Sequence, residues 1–347
     1  MVIETGFAQL LLAWYDSNGR ADLPWRNDIT AYRVWVSEIM LQQTQVTTVI
    51  PYFKRFVAAF PNVRILANAP LDEVLHRWTG LGYYARGRNL HKAAGIICTE
   101  FAAELPADHA NLQQLPGIGR STAGAICAIA FNQPQPILDG NVKRVLSRYF
   151  RVAGWPGQSS VQKNLWQLAA ATTPKQRCAD YTQAIMDLGA TLCTRSKPNC
   201  STCPLQSNCQ AHASGTTAQY PASKPRKSLP VQTRLLLIVI NEAGDVLLQQ
   251  RPPTGLWGGL WSFPECPHDD DITATCQQLG LTADRYRRGE PRRHTFSHYH
   301  LDYTPVYIDA RPQTRIADSG LTWINPAHPG QLGLPRPVQQ LLCDFPL

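Results

Sequence analysis

The chain has 347 residues, too many for one core of ordinary size and enough for two or three. With 44% hydrophobic and 17% charged residues it is not a disordered protein, and apolar runs such as Leu10 to Trp14 and Leu235 to Ile240 are too short to cross a membrane as helices. Lys and Arg outnumber Asp and Glu by 33 to 25, giving a pI near 9.0, which suits a polyanionic partner.

The start, Met1-Val2-Ile3-Glu4, has neither the basic residues nor the long apolar core of a secretory leader. A cytoplasmic protein with reduced thiols is therefore expected, and ten cysteines need a purpose other than disulfides. From Thr5 to about Ala211 the spacing predicts helices throughout. Phe7, Leu10, Leu11 and Trp14 recur at helical period, as do Leu71, Val74, Leu75 and Trp78. Phe60-Pro61-Asn62 and Leu105-Pro106-Ala107-Asp108 break the runs. In Trp35-Val36-Ser37-Glu38-Ile39-Met40-Leu41 one carboxylate sits in an apolar helical turn. It either faces solvent or occupies a dry cleft, where burial would raise its pKa enough to deliver a proton near neutrality.

Further on, Gly80-Leu81-Gly82-Tyr83-Tyr84 places glycines beside an aromatic pair; taken alone, such a turn is a packing element. Leu115-Pro116-Gly117-Ile118-Gly119-Arg120-Ser121-Thr122 reads as a helix, a tight turn and a second helix. Gly117 and Gly119 would supply unusual dihedrals. The unpaired N–H groups at the next helix start, beside Arg120 and Ser121, suit a phosphate. A plain helix C-cap is the alternative reading. Asp139 follows in Ile137-Leu138-Asp139-Gly140-Asn141, with Lys143 and Arg144 behind it; an acid beside a phosphate grip suits chemistry on a nucleic-acid sugar or base, although an N-cap also fits.

Cys193, Cys200, Cys203 and Cys209 are spaced C-x6-C-x2-C-x5-C, which in a reduced compartment indicates a metal centre, either an iron–sulfur cluster or zinc. Residues 214–231 are rich in Ser, Thr, Pro and Lys and read as a basic linker. Beyond it the period changes to that of strands. Arg234 to Ile240 and Val246 to Arg251 flank Asn241-Glu242-Ala243-Gly244-Asp245 as a hairpin. Tyr299, Leu301, Tyr303, Val306 and Ile308 suggest further strands, and short helices are expected near 271–279 and 336–343. His294, His298 and His300 would share one face of a strand.

The hairpin and the aspartate after it resemble the helix–hairpin–helix of the endonuclease III superfamily of DNA glycosylases. Val36-Ser37-Glu38-Ile39-Met40-Leu41-Gln42-Gln43-Thr44 is similar to the signature of the MutY-type adenine DNA glycosylases within it. Strand-cutting members carry Lys in the pattern G-R-K-T where this chain has Ser121, so the resemblance implies an enzyme that removes a base and stops. It implies that Glu38 protonates N7 of an extruded adenine, Asp139 stabilises the sugar cation and Asn141 orients that pair. It also implies a [4Fe–4S] cluster on the four cysteines, with Arg195 and Lys197 of the intervening loop on phosphates. Gln43 and Tyr83 match wedge positions, Gly117, Gly119, Arg120 and Ser121 the DNA-backbone grip, and Trp25, Arg26 and Gln183 the adenine pocket.

Gln249 to Pro253 and Gly255 to Pro264 resemble a Nudix domain. The magnesium-holding glutamate run is missing, since only Glu265, Glu290 and Asp269 to Asp271 follow, so recognition rather than phosphohydrolysis is implied. By the same resemblance, Phe296, Ser297 and His298 read 8-oxoguanine opposite the adenine. The expected architecture is multidomain: an all-α helix–hairpin–helix glycosylase domain with its iron–sulfur loop over 1–213, a linker over 214–231, and an α+β Nudix-like domain over 232–347. The expected partner is double-stranded DNA with adenine opposite 8-oxoguanine or guanine, bound by a monomer away from membranes. The rivals are a bifunctional glycosylase, which Ser121 disfavours, and a non-enzymatic DNA sensor, which would not need both Glu38 and Asp139.

Overall fold

The structure, a computed structural model, describes residues 2–225, 228–267, 272–312 and 320–345. The acidic run Asp269 to Asp271 and the linker residues Arg226 and Lys227 lie outside them. Contacts divide the chain into two units, Met1–Asn68 with Asn89–Arg226, and Ala69–Arg88 with Lys227–Leu347.

In chain order the helices of the N-terminal region are α1 (Val2–Asn18), α2 (Ala31–Leu41), α3 (Val46–Ala59), α4 (Val63–Asn68), α5 (Leu71–Trp78), α6 (Ala85–Glu100), α7 (His109–Gln114), α8 (Arg120–Phe131), α9 (Gly140–Tyr149), α10 (Ser159–Thr172), α11 (Cys178–Thr191) and α12 (Gln210–Ala213). Side chains start several of them. Thr30 accepts from the Arg33 amide before α2, Asp108 from Asn111 before α7, and Asp139 from Val142 before α9. One core of the first unit gathers the apolar stripes of α1, α9, α10 and α11, with Phe7, Leu11, Leu146, Leu165, Ile185 and Leu188 buried. The Phe7 ring meets Tyr149 edge-on at 4.8 Å. α8 packs against both α2 and α11, which places the loops before α2 and α9 around common ground.

The second unit holds a sheet in the order β3-β2-β1-β7-β5, built from β1 (Val231–Ile240), β2 (Val246–Gln250), β3 (Trp261–Ser262), β4 (Glu265–Cys266), β5 (Leu281–Arg288), β6 (Arg292–Thr295), β7 (His300–Pro312) and β8 (Leu321–Ile324). The hairpin read from the sequence is present between β1 and β2, its turn closed by Asn241 Oδ1, which accepts from the Ala243 and Asp245 amides. β1 also pairs in parallel with β7 from Val231↔His300 to Ile240↔Asp309. That centrality explains the unbroken apolar run of β1. Leu236 and Ile238 face the core under α14 (Arg336–Cys343), while Leu235, Leu237 and Val239 face the core under α13 (Ile272–Gln278).

Residues 69–88 belong with the C-terminal sheet although they lie inside the expected helical domain. Leu75 of α5 is fully buried in the core with Leu260, Val338 and Leu341, and the Trp261 indole N–H donates to Asp72 at 3.4 Å. Amphipathic periodicity alone marks a stripe for burial without saying against what.

Candidate active site

α2 buries Trp35, Val36, Ser37, Ile39 and Met40, leaving Glu38 as the carboxylate of its central turn. Glu38 opens into a cavity of about 180 Å³ that is also lined by Asp139, Asn141, Ser121, Trp25, Arg26 and Gln183. Seven residues singled out in five separate stretches of sequence therefore converge on one space. Burial raises the Glu38 pKa to about 7; the Asp139 charge adds to the rise and Arg26 opposes it. Asp139 is raised too, again by burial, against the stabilising Val142 amide, Arg144 and Asn141.

Asp139 performs two jobs at once. One oxygen accepts from the Val142 amide at 2.7 Å as the α9 cap, and the other accepts from Asn141 Nδ2 at 3.3 Å. Asn141 Oδ1 in turn accepts from Arg144 Nη2 at 2.8 Å. Arg144 also donates to the carbonyls of Gly189 and Cys193 at 2.7 and 2.6 Å. α9 and α11 approach closely here, since a Cβ on Gly189 would lie 2.6 Å from that of Asn141. The Ser121 hydroxyl accepts from the Leu138 amide at 2.9 Å and ties the start of α8 to the Asp139 loop. Of the two cations that follow Asp139 in the sequence, Arg144 is turned inward and engaged by these bonds.

Arg26 reaches the cavity but its guanidinium is forked onto Asp187 at 2.7 and 2.8 Å. Arg20 binds the same carboxylate through its amide and side chain. Burial alone would raise the pKa of fully buried Asp187, yet the two arginines hold it below the ordinary range. Gln183 is 6% exposed, and its Oε1 has no hydrogen-bond partner among the described residues. Trp25 is buried with its ring edge-on to Phe53 at 5.5 Å. Asp187 and Arg20 are functional neighbours that the sequence reading missed. The available signal was an acid four residues after Gln183 in an otherwise apolar helix, hence on the same face.

In the hairpin, Gly117 has φ +83°, the left-handed conformation that favours glycine. Gly119 does not need it, with φ −88° and ψ 172°, so the expectation of unusual dihedrals is corrected for this residue. Gly119 precedes α8 without a side-chain cap, and the direction in which its Cβ would point is open. Gln42 Nε2 joins the end of α2 to this turn through Thr122 Oγ1 at 3.3 Å, while the next residue, Gln43, is exposed with φ 58°. Arg120 is exposed, its guanidinium 3.9 Å from the centre of the Trp166 ring.

Cys193, Cys200, Cys203 and Cys209 line a second cavity, walled by Val145, Tyr149, Leu188 and Leu205. Among the described residues no group of three His, Cys, Asp or Glu side chains is placed to hold a single metal ion. Arg148 of α9, buried and unremarked in the sequence, donates to Cys193 Sγ at 3.3 Å and to the carbonyls of Thr194, Arg195, Thr217 and Tyr220. Arg195 and Lys197 stay exposed on the loop it holds.

In the second unit Tyr83 is 48% exposed with φ 49°, directly after Gly82, which like Gly80 is at positive φ. The Arg86 guanidinium lies 5.5 Å from its ring and donates to the Gly82 carbonyl, whereas Tyr84 is packed inward and donates to the Leu334 carbonyl. Phe296, Ser297 and His298 form the turn between β6 and β7. The Phe296 ring stacks on Tyr299 at 4.8 Å, and Ser297 and His298 are exposed. His294, His298 and His300 do not share a strand face as expected, since they fall on β6, in the turn and on β7.

Two family models match different parts of the chain. The HhH-GPD superfamily of base excision DNA repair proteins matches residues 36–171, and the NUDIX domain matches 235–343. The chain is 38% identical to the adenine DNA glycosylase of Buchnera aphidicola subsp. Acyrthosiphon pisum (strain APS), over 98% of this chain and 97% of that one. It is 37% identical to the human adenine DNA glycosylase, over 92% and 70%. Among solved structures, a thermostable thymine-DNA glycosylase superposes with a TM-score of 0.54 at 25% identity, covering 61% of this chain and 97% of its own. A non-covalent endonuclease III–DNA complex superposes with a TM-score of 0.51 at 22% identity, covering 60% and 94%, which shows a shared fold. A relative aligned from end to end at this identity leaves one assignment: the chain belongs to the adenine DNA glycosylase family, and is a DNA-binding glycosylase of base excision repair.

Proposed function

We propose that the enzyme hydrolyses the bond between deoxyribose and an adenine paired with 8-oxoguanine or guanine, and leaves the strand uncut. The observation that carries this reading is Glu38, a carboxyl with a pKa of about 7 sharing a cavity with Asp139. Half-protonated near neutrality, Glu38 delivers its proton to N7 of an extruded adenine, and the neutralised purine departs. General acid catalysis of this kind contributes about 10²–10⁴-fold. Charge then develops on C1′ and the ring oxygen. Asp139, held by the Val142 amide and Asn141, opposes it, an interaction worth on the order of 3 kcal/mol in a dry site. The arrangement parallels glycoside hydrolysis, with one acid and one anion flanking the bond.

The unpartnered Gln183 oxygen suits the amino group of adenine, and Trp25 with the Arg26 clamp forms the wall of the pocket. Extruding the base costs a few kcal/mol, which Gln43 and Tyr83 offset by filling the stack. Phe296, Ser297 and His298 read the opposing 8-oxoguanine. With Ser121 occupied by the Leu138 amide, the hairpin offers no amine for strand cleavage.

The four cysteines suit a [4Fe–4S] cluster, since C-x6-C-x2-C-x5-C holds a single C-x2-C, whereas structural zinc sites pair two short C-x2-4-C knuckles across a longer gap. When bound, the cluster would fix the loop that presents Arg195 and Lys197 to phosphates. A monomer in the cytoplasm is the simplest state for this reading. Duplexes holding one adenine opposite 8-oxoguanine, guanine or thymine test it. Strand breaks should appear only after alkali and should be fastest with 8-oxoguanine. Breaks without alkali would establish a lyase, and no product would establish a sensor.

A further inference from the structure

Beyond the hairpin, an open groove of about 790 Å³ takes no part in the reaction described above. Arg120 at the start of α8, Lys143 on α9 and Lys163 on α10 each contribute one cation to it, with Trp166, Ser159 and Gln162 between them. The three converge only in the folded chain. No Asp or Glu lines the groove, and none of the three cations forms an ion pair with a described residue. α10 itself contains no acid. A surface helix that merely stays soluble mixes signs, whereas like charges gathered without counter-charges repel one another until a polyanion arrives. The Arg120 guanidinium lies over the Trp166 ring, 3.9 Å from its centre, a contact that leaves its N–H groups for a ligand.

Ser121 lines both this groove and the cavity of Glu38, so the two adjoin at the start of α8. We infer that the groove carries backbone phosphates of the bound duplex away from the hairpin and onto α10, with Lys163 as a phosphate contact outside the hairpin motif. The inference rests on the chain acting on DNA. Its occupant is the flank of the same duplex that holds the target base.

Affinity for a duplex with adenine opposite 8-oxoguanine, measured in a Glu38→Gln background to prevent turnover, tests it across a fourfold range of salt. Losing one phosphate contact lowers the slope of log affinity against log salt by about 0.9, so Lys163→Gln should change the ratio of affinities across that range by about threefold. Lys163→Glu should exceed it. Trimming one flank of the duplex should abolish the difference, and trimming the other should leave it. Unchanged slopes in both variants would overturn the inference and make the groove a solvated patch. If wild-type protein released no adenine, the reading of the reaction would fail, while the slopes on the same duplex would still decide the groove.

Discussion

Glu38 carries opposite demands for folding and for chemistry. Its pKa rises from 4.5 to about 7 in the folded protein, so ionising it costs the folded state more than the unfolded one. Stability associated with Glu38 is therefore full below pH 4.5 and is lost progressively as pH rises toward 7. Glutamine has no charge to bury. Glu38→Gln should raise the melting temperature relative to wild type, with a difference that grows between pH 5 and pH 8. The same variant should bind DNA and lose base release by about 10²–10⁴-fold. In the wild type, release should fall as pH rises through about 7, where the acid is spent, and fall again at low pH once Asp139 protonates above the ordinary carboxylate range. Melting curves and single-turnover rates across pH check both statements. A melting difference independent of pH would show that Glu38 is not held in a dry site.

Residues that line the Glu38 cavity were among the legible ones. Glu38, Asp139 and Gln183 stand out because a polar group in an apolar helix or tight loop has few structural excuses. Asp187 and Arg148 escaped because their partners lie far away in sequence, Arg20 at 167 positions and Thr217 at 69. Arg144 was noted only as a cation behind Asp139. What decides its role is the close approach of α9 to α11 at Gly189, a tertiary fact with no local signature.

α9 is the element on which the two centres of the first unit meet. Its N-terminus is capped by Asp139, its middle turn sends Arg144 to Asn141 and Cys193, and its last turn sends Arg148 into the cysteine loop. One rigid helix thus fixes the catalytic acid's counterpart at one end and the metal loop at the other. Arg148 matters through geometry as much as charge. Five partners surround a planar fork, and lysine cannot reproduce that pattern. Arg148→Lys should lower the iron and sulfide bound per chain and weaken DNA affinity, with release at saturating protein less affected. Elemental analysis beside binding curves checks this, and zinc in place of iron would correct the assignment of the metal. The spacing of the cysteines made this loop legible, but it could not reveal the arginine holding it from behind.

At the scale of the whole molecule, the two-unit division follows from core composition rather than chain order. The sheet buries β1 on both faces, and this much was readable from its continuous apolar run. The parallel β1–β7 pairing was not, because a register of ten residues joins segments some seventy apart. The placement of α5 escaped for a related reason. Leu75 completes the core beneath Leu260 and Val338, and Tyr84 and Arg88 bond the Leu334 and Gly258 carbonyls. Truncation at residue 226 would therefore strip 69–88 of its partners and expose a leucine that is fully buried in the intact chain. Amide exchange in the truncated protein should rise sharply over 71–88, which contains Tyr83, while α9 and α11 stay protected by their own core. In the full chain Leu75→Ala should cost about 2–5 kcal/mol, the usual penalty for a cavity of this kind, and should loosen the same segment first. Uniform exchange across all helices in either protein would mean that α5 draws its stability from elsewhere than the C-terminal core.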